Sequence, residues 1–235
     1  MASMNARARQ LGTCFVVWAA VAFVGCAIGV ILTRVIGPAT MRDLDGPVRT
    51  FFTAHQQPGF RQVMTDVTLA GTDRVVCLVA VVAGILLRRR GTWLPLVLML
   101  AAYLGAALIS ASDKIIVARG RATGHGITNM LDHAFPSGHA TQAAAVYAML
   151  AILAATRTRR SIQIVVGLLA GSVVAAVALS RVYLGAHWFT DAAGGVMLGT
   201  LWAVALAVVA GIGRRRLHGL ATLRTTDDCT YDIAV

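Results

Sequence analysis

Residues 91–112 read GTWLPLVLMLAAYLGAALISAS, 22 consecutive positions without a charge. A helix rises about 1.5 Å per residue, so this run reaches across the roughly 30 Å hydrocarbon core of a bilayer. Working outward, the charge-free runs 11–33, 161–180 and 192–213 meet the same requirement, and 134–156 is interrupted only by His139. Residues 75–87 are too short to cross unaided. Extending them back to 63 places Asp66, Asp73 and Arg74 in the outer part of a sixth helix. The fold predicted is therefore all-α: a polytopic bundle of six transmembrane helices forming one domain over 1–213, followed by a cytoplasmic tail over 214–235 that is expected to be loosely ordered from Leu217 on.

Composition excludes the soluble alternative. Only 13% of residues are charged, 57% are apolar and the mean hydropathy is +0.73, whereas a water-soluble domain of this size charges about a quarter of its residues. Arg7 and Arg9 before the first apolar run resemble the start of a secretory signal, but the run exceeds the roughly 7–15 residues of a signal core, so it reads as a retained helix. No fixed-period repeat divides the chain.

Charge orients the bundle. The net +11 comes from 20 arginines and one lysine against 10 aspartates, with no glutamate, which excludes any mechanism needing Glu. Arginine clusters at 7/9, 88–90, 157/159/160 and 214–216 alternate with spans so that all fall on one side, which the positive-inside rule assigns to the cytoplasm. With Arg224 and the tail aspartates that side is net +9, against +2 on the other. Both termini are thus expected in the cytoplasm of a plasma or inner membrane. Each cluster abuts an apolar span, so none reads as a nucleic-acid patch. Cys14, Cys26, Cys77 and Cys229 lie in apolar stretches or the tail, without metal-ligand or disulfide spacing.

The other ionisable residues near span ends gather on the extracytoplasmic side, from four helices. Lys114 and Arg121 follow the third span, Ser137, Gly138 and His139 open the fourth, Arg181 ends the fifth, and His187 and Asp191 open the sixth. Such groups at membrane depth are costly and face a bundle interior or a wet cavity. They spell Lys114-x6-Arg121, Pro136-Ser137-Gly138-His139 and Ser180-Arg181-x5-His187-x3-Asp191. Composition alone would place Pro-Ser-Gly-His in about four of ten thousand such chains, which makes an accidental joint match untenable.

Together, over about residues 114–195, these motifs resemble the signature of the type 2 phosphatidic acid phosphatase superfamily, in its membrane lipid phosphatase branch. The superfamily also includes glucose-6-phosphatase and, on a soluble helical scaffold, vanadium haloperoxidases. Ala122 departs from the pattern, which usually has proline after the arginine; loop rigidity is affected more than chemistry.

Read as chemistry, the residues suit phosphoryl transfer without a metal or other cofactor. Catalysis of that reaction is mostly positioning and charge stabilisation. Arg121 and Arg181 offer paired donors, Lys114 a point charge, and the Ser137 hydroxyl with the Gly138 amide, at a helix start, completes an anion cradle. His187 is the expected nucleophile, with Asp191 four residues on sharing its helix face and holding one ring N–H. His139 is left to protonate the leaving alkoxide and then to activate water. This division of roles agrees with what the resemblance implies.

Several residues read more plainly. His125 and His133 are expected to be solvated loop residues, Asp66, Asp73 and Arg74 structural polar groups, and Asp113 and Asp132 charge balance. Leu44, Val48, Phe51 and Phe52 fall on one side of a short helix opened by Asp45-Gly46-Pro47, either interfacial or simply packed. Tyr183 and Trp188 read as interface anchors.

The function expected is a lipid phosphatase. Its partners are the bilayer and a lipid phosphate; nucleic acid is not one of them. The resemblance allows polyprenyl diphosphate, phosphatidic acid or phosphatidylglycerol phosphate as substrate, with polyprenyl diphosphate favoured. The alternatives are a phosphotransferase using the same phosphohistidine, and a lipid-phosphate binder or transporter without chemistry.

Overall fold

The computed structural model describes residues 2–88, 92–121 and 133–212, with side chains except at 2–10 and 38. Among these residues the secondary structure is almost wholly helical, as the apolar runs require. The first span is α1 (Ala2–Val30), continued by a π-helical turn at Ile31–Val35. The chain then folds over one end of the bundle through α2 (Gly37–Thr40), a second π-helical turn at Met41–Asp45 and α3 (Gly46–Ala54), which Pro47 starts at its first turn.

The second crossing is broken. Helix α4 (Pro58–Thr68) ends in a 3-10 turn at Leu69–Gly71, Thr72 is extended, and α5 (Asp73–Leu86) departs at 49°. The straight helix expected over 63–87 is replaced by two short ones because polar groups draw the chain inward at the break. Arg181 Nη1 donates to Thr68 Oγ1 at 3.1 Å, and the Tyr147 hydroxyl donates to the Ala70 carbonyl at 3.0 Å. A Cβ on Gly71 would lie 2.4 Å from Val177 Cγ1 and 3.3 Å from His139 Cβ, so only glycine lets the break press against the next helices.

The remaining spans are α6 (Leu94–Val117), α7 (Gly138–Ala155), α8 (Arg160–Tyr183) and α9 (Phe189–Val209). Among the described residues five helices are long and apolar enough to cross a membrane, and the bent pair counted as one span makes six. Large apolar side chains such as Phe15, Leu78, Leu168 and Val208 point outward, the inverse of a soluble surface. The core sits between α6, α7 and α9, around Met99, Ile109, Met149, Leu198 and Trp202.

Helices α7 and α9 make the most extensive pairing, because glycine removes side-chain bulk where the backbones meet. A Cβ on Gly199 would fall 2.1 Å from the Thr141 carbonyl oxygen, and one on Gly195 2.8 Å from that of Ser137. In lipid, where helix association depends on packing, such small-residue seams bring backbones close. This seam brings the start of α7 against the start of α9. The expectations for Ala122, His125, Asp132, most of the arginine clusters and the tail lie outside the described residues.

Candidate active site

The ends of α6 and α8 and the starts of α7 and α9 meet at one end of the bundle around a cavity of about 330 Å³. Lys114, Arg121, Gly138, His139, Arg181 and His187 all line it, with Ser110, Gln142 and Asp73. Residues 114, 121, 138, 139, 181 and 187 therefore converge as their spacing predicts. Lys114 belongs to the last turn of α6 rather than following it, since that helix runs on to Val117.

The residues expected to form an anion cradle meet where α7 begins. Ser137 is its N-cap with an extended backbone, and the hydroxyl makes no capping bond. Ser137 Oγ is buried and has no hydrogen-bond partner among the described residues. The first amides of α7, starting at Gly138, have no intrahelical partner either, and the helix dipole favours negative charge there. A Cβ placed on Gly138 would lie 3.7 Å from Lys114 Nζ, so the ammonium stands beside the same amides. Arg181 uses Nη1 on Thr68, while its buried Nε has no partner among the described residues.

His187 differs from expectation in an informative way. It precedes α9 by two residues, so it shares no helix face with Asp191. Its Nδ1 lies 2.8 Å from the Ala134 carbonyl oxygen and 3.8 Å from Asp191 Oδ2. A carbonyl only accepts, so Nδ1 carries the proton and Nε2 keeps the lone pair. The ring N–H is thus held by a backbone carbonyl, not by the carboxylate. Burial pushes the His187 pKa below the ordinary imidazole value, against the opposing pull of Asp191.

Asp191 has other partners. Its Oδ2 accepts the Trp188 amide at 2.9 Å, and Oδ1 pairs with Arg119 Nη1 at 2.6 Å. Arg119 also reaches Asp45 Oδ2 at 2.6 Å, and all three side chains are nearly inaccessible. Sequence reading passed over Arg119 and treated Asp45 only as a helix opener. The signal available was weak: an arginine two before Arg121, and an aspartate opening a short helix expected to be interfacial or simply packed.

Other assignments change with burial. Asp113 is fully buried, accepts from Cys26 Sγ at 3.0 Å, and occupies space that a Cβ on Gly25 would take. Asp73 is on the cavity wall rather than a remote structural group. Tyr183 is buried, not an interface anchor: Phe52 and Phe60 meet its ring edge-on at 5.7 and 5.0 Å, and its hydroxyl accepts the Gln57 amide. Trp188 donates to the Gly120 carbonyl at 3.0 Å beneath the Arg49 guanidinium. Within the short helix α3, Phe51 is exposed while Phe52 packs inward. Among the described residues no group of three or more His, Cys or Asp is gathered as metal ligands would be.

The chain resembles proteins of known family. Residues 113–214 match the model of the PAP2 superfamily. Phosphatidylglycerophosphatase B of Bacillus subtilis is 29% identical over 178 residues, covering 73% of this chain and 85% of that protein. The crystal structure of a transmembrane PAP2 type phosphatidylglycerolphosphate phosphatase from Bacillus subtilis superposes with a TM-score of 0.66 at 27% identity. That match covers 86% of this chain and 94% of the other.

Proposed function

We propose that the chain is a membrane lipid phosphatase of the PAP2 type that hydrolyses a glycerophospholipid phosphate monoester at the extracytoplasmic face, through a phosphohistidine on His187, a reading supported by its likeness to the PAP2 superfamily model and to the Bacillus proteins. The observation that carries this reading is the single cavity in which Lys114, Arg121 and Arg181 surround two histidines beside a helix start. Phosphate oxygens fit among the three cations, the Ser137 hydroxyl and the Gly138 amide. His187 Nε2 then attacks phosphorus in line, and the P–O ester bond breaks with its electron pair leaving on the alkoxide. His139 supplies the proton. In the second half-reaction His139 removes a proton from water, the hydroxide attacks phosphorus, and the P–N bond breaks to regenerate His187 and release phosphate.

The identity of the Bacillus relative favours phosphatidylglycerol phosphate over the polyprenyl diphosphate suggested by resemblance alone. A cavity of this size takes a headgroup and leaves the acyl chains in lipid. The less basic end of the bundle carries the site, which supports an extracytoplasmic opening.

Purified protein in detergent should release phosphate from phosphatidylglycerol phosphate faster than from phosphatidic acid or a polyprenyl diphosphate, with a chelator present. Heavy oxygen from labelled water should enter that phosphate; transfer to an alcohol without free phosphate would identify a transferase instead. His187→Ala should abolish turnover and the acid-labile phosphoenzyme while lipid binding persists. Undiminished phosphate release by that variant would overturn the assigned nucleophile.

A further inference from the structure

Just past the end of α6, Ala118 adopts a left-handed conformation (φ 51°) and turns the chain so that Arg119 runs into the fold rather than along the cavity. The Arg119 side chain is not among those lining the cavity. Its Nη1 donates to Asp191 Oδ1 and to Thr190 Oγ1, both at 2.6 Å, and its Nη2 donates to Asp45 Oδ2 at 2.6 Å. Asp45 in turn accepts the Thr190 amide at 3.0 Å and the Thr190 hydroxyl at 2.7 Å. One guanidinium thereby locks the loop after the first span onto the first turn of α9.

The main chain of the same residue makes a second connection. The Arg119 carbonyl accepts the Ala134 amide at 2.8 Å, and the Ala134 carbonyl accepts His187 Nδ1–H at 2.8 Å. Both acceptors beside Nδ1, the Ala134 carbonyl and the more distant Asp191 carboxylate, are therefore held by Arg119.

Resting on His187 as nucleophile, we propose that Arg119 is a positioning residue of the phosphatase reaction, which through Ala134 and Asp191 fixes the ring of His187 and, with Asp45, couples that ring to the first outer loop. A planar guanidinium can span two carboxylates with separate nitrogens; an ammonium cannot do so in the same geometry. Arg119 also balances the negative charge nearest His187. The groups facing that imidazole are Asp191 at the start of α9, Arg181 at the end of α8, His139 on α7, and Lys114 and Arg121 on and after α6, with Asp73 of α5 on the cavity wall. Without Arg119, Asp191 would be an uncompensated buried anion 3.8 Å from Nδ1, and the protonated ring would be favoured.

The test compares wild type, Arg119→Ala and Arg119→Lys as purified full-length proteins hydrolysing phosphatidylglycerol phosphate in detergent, with thermal stability measured alongside. Arg119→Ala should lower kcat about 100-fold with little change in KM, the scale of loss for a misplaced reacting group, and should move the acid limb of kcat/KM to higher pH. Arg119→Lys keeps the charge but not the bridge, so kcat should fall while the acid limb stays in place. Retention of kcat in either variant, or loss of kcat in Arg119→Ala with an unmoved acid limb, would overturn the positioning role. If Arg119→Ala does not fold, the lysine variant decides: a fall in kcat at wild-type thermal stability supports the proposal, and unchanged kcat overturns it. A wild-type protein inactive on every lipid phosphate, or an active His187→Ala, would instead defeat the functional reading on which the proposal rests.

Discussion

Ser137 shows how a residue can work against stability and for function. Its hydroxyl is fully buried, and the fold offers it no partner among the described residues. Leaving such a group unpaired costs about 1–3 kcal/mol, a loss that a bound phosphate oxygen would recover on the proposed reading. Ser137→Ala should therefore leave thermal stability unchanged or raised while kcat/KM falls about 10-fold, roughly the net worth of one hydrogen bond; a large loss of stability would mean that the hydroxyl is structural. His187 carries the pH dependence. Its folded pKa is depressed, chiefly by burial, so the neutral ring persists as pH drops past the ordinary imidazole value of about 6.5. The acid limb of kcat/KM is expected below that pH, and a limb centred above it would contradict the buried, neutral ring.

Elements set the distance between the two histidines. His139 is the second residue of α7, and His187 stands two residues before α9, so the gap between those helices decides whether both reach one phosphate. Gly195 and Gly199 hold that gap closed. Gly199→Ala would press a methyl group into the Thr141 backbone carbonyl, which cannot rotate away as a side chain would. The substitution should cost about 1–3 kcal/mol, the scale of overpacking, and should lower kcat because α7 and α9 separate. Wild-type stability in thermal melts of the variant would show that the seam is looser than described. The break at Leu69–Thr72 works at the same scale, bringing Thr68 to Arg181 and Gly71 to His139. A straight helix would carry Thr68 and Gly71 past those partners.

For the whole molecule, orientation decides which leaflet supplies substrate. The loops at the site end are the less basic ones, and Gln56 and Gln57 anchor the connection between α3 and α4 to Tyr183 at that end. His55 beside them is exposed, as is Arg159 at the opposite end. A cysteine introduced by His55→Cys should react with an impermeant maleimide in intact cells, whereas Arg159→Cys should react only after permeabilisation. The reverse pattern would place the cavity on the cytoplasmic side.

Transmembrane spans were legible in the sequence because exclusion of charge from hydrocarbon acts on each segment by itself. The histidines, lysine and arginines of the cavity were legible because each short motif is local and phosphate chemistry restricts which residues can hold an anion. Contacts between segments far apart in the chain were not. Asp45, Arg119 and Asp191 are more than seventy residues apart pair by pair, and no local pattern marks three buried charges that meet only after packing. A backbone carbonyl such as that of Ala134 exists at every residue, so its hydrogen bond to His187 has no sequence signature. Likewise, the kink of the second span follows from polar partners that other helices bring to it. The chain alone determined which segments are apolar enough to cross the membrane and which residues carry the motifs; packing decided what holds the His187 ring, because hydrogen bonds depend on positions in space that neighbours in sequence do not set.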